Sequence, residues 1–184
     1  MAPKALAVVN ANDVLPTNAD GTLPMQPNAD LFFLSGIEQE ESILVLFPDA
    51  ADEKQREILF VREPNEHLQI WEGYKHSKPD ARKISGIKNV QWLSEFPVIF
   101  RSLMCEAESA YLNSNEYKRA HVEMETRDVR FIKQCQADFP LHTYRRLAPL
   151  LHELRVVKTD LEIELLKEAV DITAKGFRRT LRIG

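Results

Sequence analysis

Apolar residues come in short blocks separated by polar, turn-forming stretches, and only the last part of the chain carries a long helical stripe. Residues 5–9 are a continuous apolar run ending at Asn10, too short for a helix and suited to a buried strand. Asn12, Asp13, Pro16, Asn18, Asp20, Gly21, Pro24, Pro27 and Asn28 follow. Their local side-chain hydrogen bonds and fixed φ angles predict a loop of roughly 20 residues, a length usually associated with function or mobility. Residues 31–34, 42–47 and 57–62 read as strands, each rich in branched or aromatic side chains and bounded by Gly, Pro or Asp. The polar stretch 48–55 predicts an antiparallel hairpin between the last two. Pro64 breaks the run of the third, Ile70-Trp71 reads as a brief strand before Gly73, and residues 90–93 read as another. Residues 95–105 predict a helix with Phe96, Ile99, Phe100 and Leu103 on one side. Tyr111-Leu112 reads as a short strand, and 121–136 as a helix carrying Val122, Val129, Ile132 and Cys135.

The terminal segment has the strongest pattern. Thr159-Asp160-Leu161-Glu162 has the form of a capping box, in which a hydroxyl and a carboxylate satisfy free amide donors at a helix start. Leu161, Leu165, Ala169, Thr173, Phe177 and Leu181 then recur at every fourth position of a helix of about 22 residues. Asp160, Glu162 and Glu164 open it and Arg178, Arg179 and Arg182 close it, complementing the helix dipole. Strands alternating with helices make the chain α/β, with a mixed sheet preferred over a purely parallel one.

Composition narrows the function. The 184 residues are 44% apolar with 24 Lys+Arg against 28 Asp+Glu, a net charge of −4. That balance gives no cationic footprint for nucleic acid. No run approaches the roughly 20 apolar residues of a membrane span, so the expected location is cytoplasmic. Cys105 and Cys135 are expected as buried small apolar groups, since neither sits in a reactive motif. His67, His76, His121, His142 and His152 are scattered, without the spacing of a metal site. Closely spaced glycines for a phosphate cradle and a nucleophile elbow are both missing. The residues therefore present no complete catalytic constellation and suggest the accessory part of a larger enzyme or an interaction domain.

Three stretches, in order, carry a resemblance. Asn28-Ala29-Asp30-Leu31-Phe32-Phe33-Leu34-Ser35-Gly36 precedes Glu40-Glu41 and the run 43–47. Phe60-Val61-Arg62-Glu63-Pro64 leads to Ile70-Trp71-Glu72-Gly73, and His152-Glu153-Leu154-Arg155-Val156-Val157-Lys158-Thr159 leads to Glu162-Ile163. Together they resemble the amino-terminal domain of Xaa-Pro aminopeptidases, the aminopeptidase P members of the creatinase and prolidase group of metallopeptidases.

The resemblance implies a six-stranded mixed β-sheet flanked by helices, with a ribonuclease H-like motif, over residues 1–152. Residues 153–184 would then be the linker and first helix of a pita-bread catalytic domain. In complete relatives that second domain holds two divalent metal ions, commonly Mn2+, through Asp, His and Glu ligands. None of those ligands, and no catalytic residue, is expected in this chain, which alone should be inactive. The implied substrates of the whole enzyme are peptides with proline at the second position, and the implied assembly is a homodimer or homotetramer. Trp71, Arg62 and Asp30 are the candidates for the substrate entrance or subunit contacts. Gln69, Tyr74 and Met25-Gln26-Pro27 depart from the family pattern by removing charge, which keeps an Xaa-Pro dipeptidase (prolidase) as the neighbouring reading. A non-catalytic interaction domain on the same scaffold is the alternative from another class.

Overall fold

The computed structural model describes residues 1–65, 70, 73–119 and 123–181. Two compact units divide the chain, Met1–Ala148 and Pro149–Gly184. The first contains β1 (Ala5–Asn10), α1 (Ala29–Ser35), β2 (Ile43–Leu46), β3 (Glu57–Val61), α2 (Lys78–Ser85), β4 (Asn89–Trp92), α3 (Phe96–Glu106), β5 (Ser109–Leu112), α4 (Arg127–Asp138) and β6 (Thr143–Arg146).

One six-stranded sheet runs in the order β4-β3-β2-β1-β5-β6. β1–β2 and β2–β3 are antiparallel; β3–β4, β1–β5 and β5–β6 are parallel. The sheet is therefore mixed, as expected. Every residue of β1 is buried, which explains its unbroken apolar run: a central strand covered on both faces has no solvent side to alternate toward. Leu6, Val8, Val45, Ile58 and Phe60 form a core with Phe100, Leu103 and Met104 of α3 and Cys135 of α4. Phe100 anchors it, stacked on Phe96 at 5.0 Å between ring centroids and tilted against Phe131 at 5.4 Å.

Residues 31–34 are helical, not the expected strand. The Asn28 side-chain carbonyl accepts from the N–H groups of Asp30 and Leu31, both at 3.0 Å, and Gly36 closes the helix at φ 67°. That left-handed conformation suits glycine, and a preceding Asn cap satisfies donors a strand would not leave free. Leu31 and Ser35, one turn apart, face inward. The helix expected over 121–136 begins only at Arg127, behind the Thr126 cap, whose hydroxyl accepts from Val129 N–H. Residues 121–122 lie outside the described residues, as does Trp71 of the expected 70–71 strand. A second correction concerns the thiols: Cys135 is buried, but Cys105 is exposed because it lies on the outer side of α3. Helix α2 and strand β6 had no counterpart in the sequence reading.

The second unit holds α5, whose helix is Ala148–Val156 and begins at the boundary, and α6 (Asp160–Thr180). Both arms of the capping box form: Glu162 N–H donates to the Thr159 hydroxyl at 3.3 Å, and Thr159 N–H donates to the Glu162 carboxylate at 2.8 Å. Those bonds hold the Glu162 carboxyl below the usual range, the backbone donor first. Leu161, Leu165, Ile172 and Phe177 are exposed. Among the described residues no helix is long and apolar enough to cross a membrane.

Candidate functional site

Sheet register decides which side chains meet. Asn10 pairs with Ile43, Ile43 with Phe60, Val61 with Trp92, Val8 with Leu112, and Leu112 with Arg146. The carboxyl ends of β1, β3, β4, β5 and β6 thus share one edge with the start of β2. The connections 11–28, 36–42, 62–77 and 113–126 leave or enter the sheet there. In open α/β sheets such an edge is the usual place for ligand or partner contact.

At the end of β3, Arg62 projects toward the 36–42 connection. Its Nη1 donates to Glu40 Oε1 at 3.4 Å and its Nε lies 3.6 Å from Glu41 Oε2. Lys75 Nζ also bonds Glu40 Oε1. These are sheltered charges: side-chain exposure is 14% for Glu40, 8% for Lys75 and 25% for Arg62. Burial works to raise the Glu40 pKa, but the Lys75 hydrogen bond and both positive charges prevail, holding it below the ordinary carboxylate value. Gln39 completes the arrangement, donating to the Arg62 carbonyl at 3.4 Å and accepting from His76 N–H at 2.7 Å. Gln39 and Glu40 therefore grip both ends of the connection between residues 62 and 76.

Asp30 belongs to a different group on the same edge. Its Oδ2 accepts from Asn113 Nδ2 at 3.0 Å, tying α1 to the end of β5. Backbone capping at that junction is done by Asn28. Nearby in the fold, Asn10 donates to Asp128 Oδ1 at 2.9 Å. Asp13 accepts from Arg127 N–H at 2.9 Å and from Arg130 Nη2 at 2.6 Å. Burial raises the Asp128 pKa, with the Asn10 bond and Arg127 charge opposing, and burial lowers that of Arg127 against the pull of Glu41, Asp13 and Asp128.

Arg62 and Asp30 are thus each fixed by separate partners, while Trp71 lies outside the described residues. Gln39, Lys75, Arg127 and Asp128 were missed from sequence, because none sits in a motif and their partners are far along the chain. Chemically, the edge offers walls of paired charge. Among the described residues it contains no activated nucleophile beside a base, and no cluster of three or more His, Cys, Asp or Glu is placed to hold a metal ion.

A family model described as the aminopeptidase P N-terminal domain matches residues 1–112. The chain is 25% identical over 182 residues to the Xaa-Pro aminopeptidase of Escherichia coli strain K12, covering 98% of this chain and 41% of that protein. It is 21% identical over 177 residues to the mitochondrial intermediate cleaving peptidase 55 of Arabidopsis thaliana, covering 96% and 33%. A Bacillus anthracis structure assigned as an aminopeptidase P superposes with a TM-score of 0.85 at 27% identity, covering 96% of this chain and 42% of that one. The chain therefore spans about two fifths of the length of the first relatives it matches.

Proposed function

Because the chain belongs to the aminopeptidase P N-terminal-domain family, we propose that it serves as the accessory domain of an Xaa-Pro aminopeptidase, an enzyme removing the residue that precedes proline. Its role in that enzyme is to shape the substrate entrance and supply subunit contacts. The observation that carries this reading is the carboxyl edge, where Glu40 and Glu41 pair with Arg62 and Lys75, and Asp30 is fixed by Asn113. Such mutually bonded groups position a surface.

In this reading residues 1–152 form the accessory domain and 153–184 lead into the catalytic one. Arg62, Asp30 and Trp71 belong to the entrance or to contacts in a homodimer or homotetramer. Hydrolysis would depend on two divalent ions, Mn2+ by preference, bound outside this chain; such a pair activates water and stabilises the developing oxyanion. A cytoplasmic location is part of the proposal, and the mitochondrial relative marks the alternative. Tyr74 and Gln69, which depart from the family pattern by removing charge, allow an Xaa-Pro dipeptidase as the second reading.

The test compares this chain with its parent reading frame extended to the length of the relatives, both with Mn2+ and both assayed on Xaa-Pro dipeptides and Xaa-Pro tripeptides. Turnover only by the extended protein, with tripeptides preferred, is the expected result. A dipeptide preference would move the assignment to the second reading, and turnover by the 184-residue chain would overturn it.

A further inference from the structure

Arg127 stands in the first turn of α4 and lines a cleft of ≈ 550 Å³ at the carboxyl edge of the sheet. A guanidinium carries five N–H donors in a planar fork. Here one of them is used, Nη2 donating to the Glu41 carbonyl at 3.1 Å, and among the described residues Arg127 forms no ion pair. The acids around it act on Arg127 through their charge, and each has a bonding partner other than the guanidinium. Asp13 accepts from the Arg127 backbone N–H and from Arg130, Glu41 lies against Arg62, and Asp128 accepts from Asn10. Burial lowers the Arg127 pKa, while the charges of Glu41, Asp13 and Asp128 pull it back up.

One wall of the cleft is of opposite character. Leu93, Phe96, Pro97 and Phe131 line it, with the Phe96 and Phe131 rings tilted at 6.0 Å between centroids. Two arginines and two acids also border it, so the lining carries no net charge to repel an anion. Its size lies within the roughly 300–1,000 Å³ typical of small-molecule sites, which join apolar walls to a few convergent polar groups; here Asn10, Asn12 and Gln134 stand beside the charged residues of the lining.

We propose that this cleft binds a small carboxylate with an aromatic or branched apolar body, the carboxylate forked on the Arg127 guanidinium and the body against Phe96 and Phe131. A bidentate carboxylate matches the geometry of the unused donors, and the apolar wall supplies the energy that a lone surface ion pair lacks. The same chemistry is offered by a free acid or by the carboxyl terminus of a peptide. The inference stands apart from the peptidase reading, because it concerns a site within residues 10–134 that needs no catalytic domain.

Calorimetric titration of the whole chain tests it with N-acetyl-L-phenylalanine, its primary amide, and the tetrapeptide Ala-Ala-Ala-Phe with a free or amidated terminus. The expected result is that at least one free carboxylate binds about tenfold more tightly than its amide, a difference of about 1.4 kcal/mol. Tighter binding of the tetrapeptide identifies a chain terminus as the source, and tighter binding of the acetylated amino acid a free acid. In Arg127→Gln the acid and amide should bind alike, and in Phe131→Leu the aromatic acid should weaken severalfold. Equal affinity of acid and amide for the unaltered chain, or no heat with any probe at 10 mM (roughly the weak limit of specific binding), overturns the proposal without recourse to a variant. Retention of the discrimination in a folded Arg127→Gln chain overturns it as well.

Discussion

Glu40 offers the sharpest test of how the carboxyl edge is held. Its Oε1 receives both Lys75 and Arg62 while the Lys75 side chain is only 8% exposed, so Glu40→Gln keeps the shape and removes the charge. A hydrogen bond to a charged group contributes about 1.5–3 kcal/mol, and Lys75 and Arg62 keep further interactions after the change. The expected loss is therefore about 2 kcal/mol, which for a chain of this size lowers Tm by about 4–8 °C. A double-mutant cycle with Lys75→Met, followed by urea unfolding at pH 7, should give a Glu40–Lys75 coupling of about 1.5 kcal/mol. Because the pair is sheltered, about 1 M salt should leave most of that coupling in place. The pH dependence has a fixed sign. The folded Glu40 carboxyl sits below its ordinary value, so its stabilisation is fully present above the unfolded value of about 4.3 and is lost as pH falls through the folded value. The stability gap between the unaltered chain and Glu40→Gln should accordingly close in acid. A coupling below about 0.5 kcal/mol, the range of solvent-exposed pairs, would refute the claim that Gln39 and Glu40 clamp the 62–76 connection.

Three further outcomes follow from the packing. Asn28→Ala should cost about 1 kcal/mol by chemical denaturation, while Asn28→Asp or Asn28→Ser should cost little, since each restores an N-cap acceptor for α1. A thiol reagent should titrate Cys105 at once in the folded chain and reach Cys135 only on unfolding, because burial and then Asp138 push the Cys135 thiol up to about 12; equal rates would contradict the buried placement. Phe100→Ala should cost about 3–5 kcal/mol, as it removes a ring packed against Phe96, Phe131 and Phe139, and a loss under about 1 kcal/mol would place the centre of the core elsewhere.

What could be read from the chain before its structure follows from the range of the forces involved. β1, the β2–β3 hairpin and α6 were legible because their determinants are local: an unbroken apolar run, a polar turn between two apolar blocks, and the Thr159–Glu162 box. Residues 31–34 misled for an equally local reason. Four successive apolar side chains have no period, so a buried strand and one turn of helix look alike, and the decision fell to Asn28 and Gly36 on either side. β6 was silent because it is an edge strand with three exposed residues, held by its ladder to β5 and by the Tyr144 hydroxyl, whose one proton is shared between the Cys135 and Phe139 carbonyls. At the edge itself, motif resemblance singled out Arg62 and Asp30 but could not supply what holds them. Glu40 lies 22 residues from Arg62, and Asn113 lies 83 from Asp30. Such pairs exist only once antiparallel pairing sets Ile43 against Phe60, bringing the 36–42 connection beside the end of β3, and once β5 joins β1. Arg127 is the extreme case. Its neighbours in sequence describe only the start of an amphipathic helix, and its underused guanidinium emerges from the meeting of β1, the 36–42 connection and α4. Charge placed by topology in this way is invisible to any local pattern, which is why the edge of the sheet, more than its core, is where experiment has most to add.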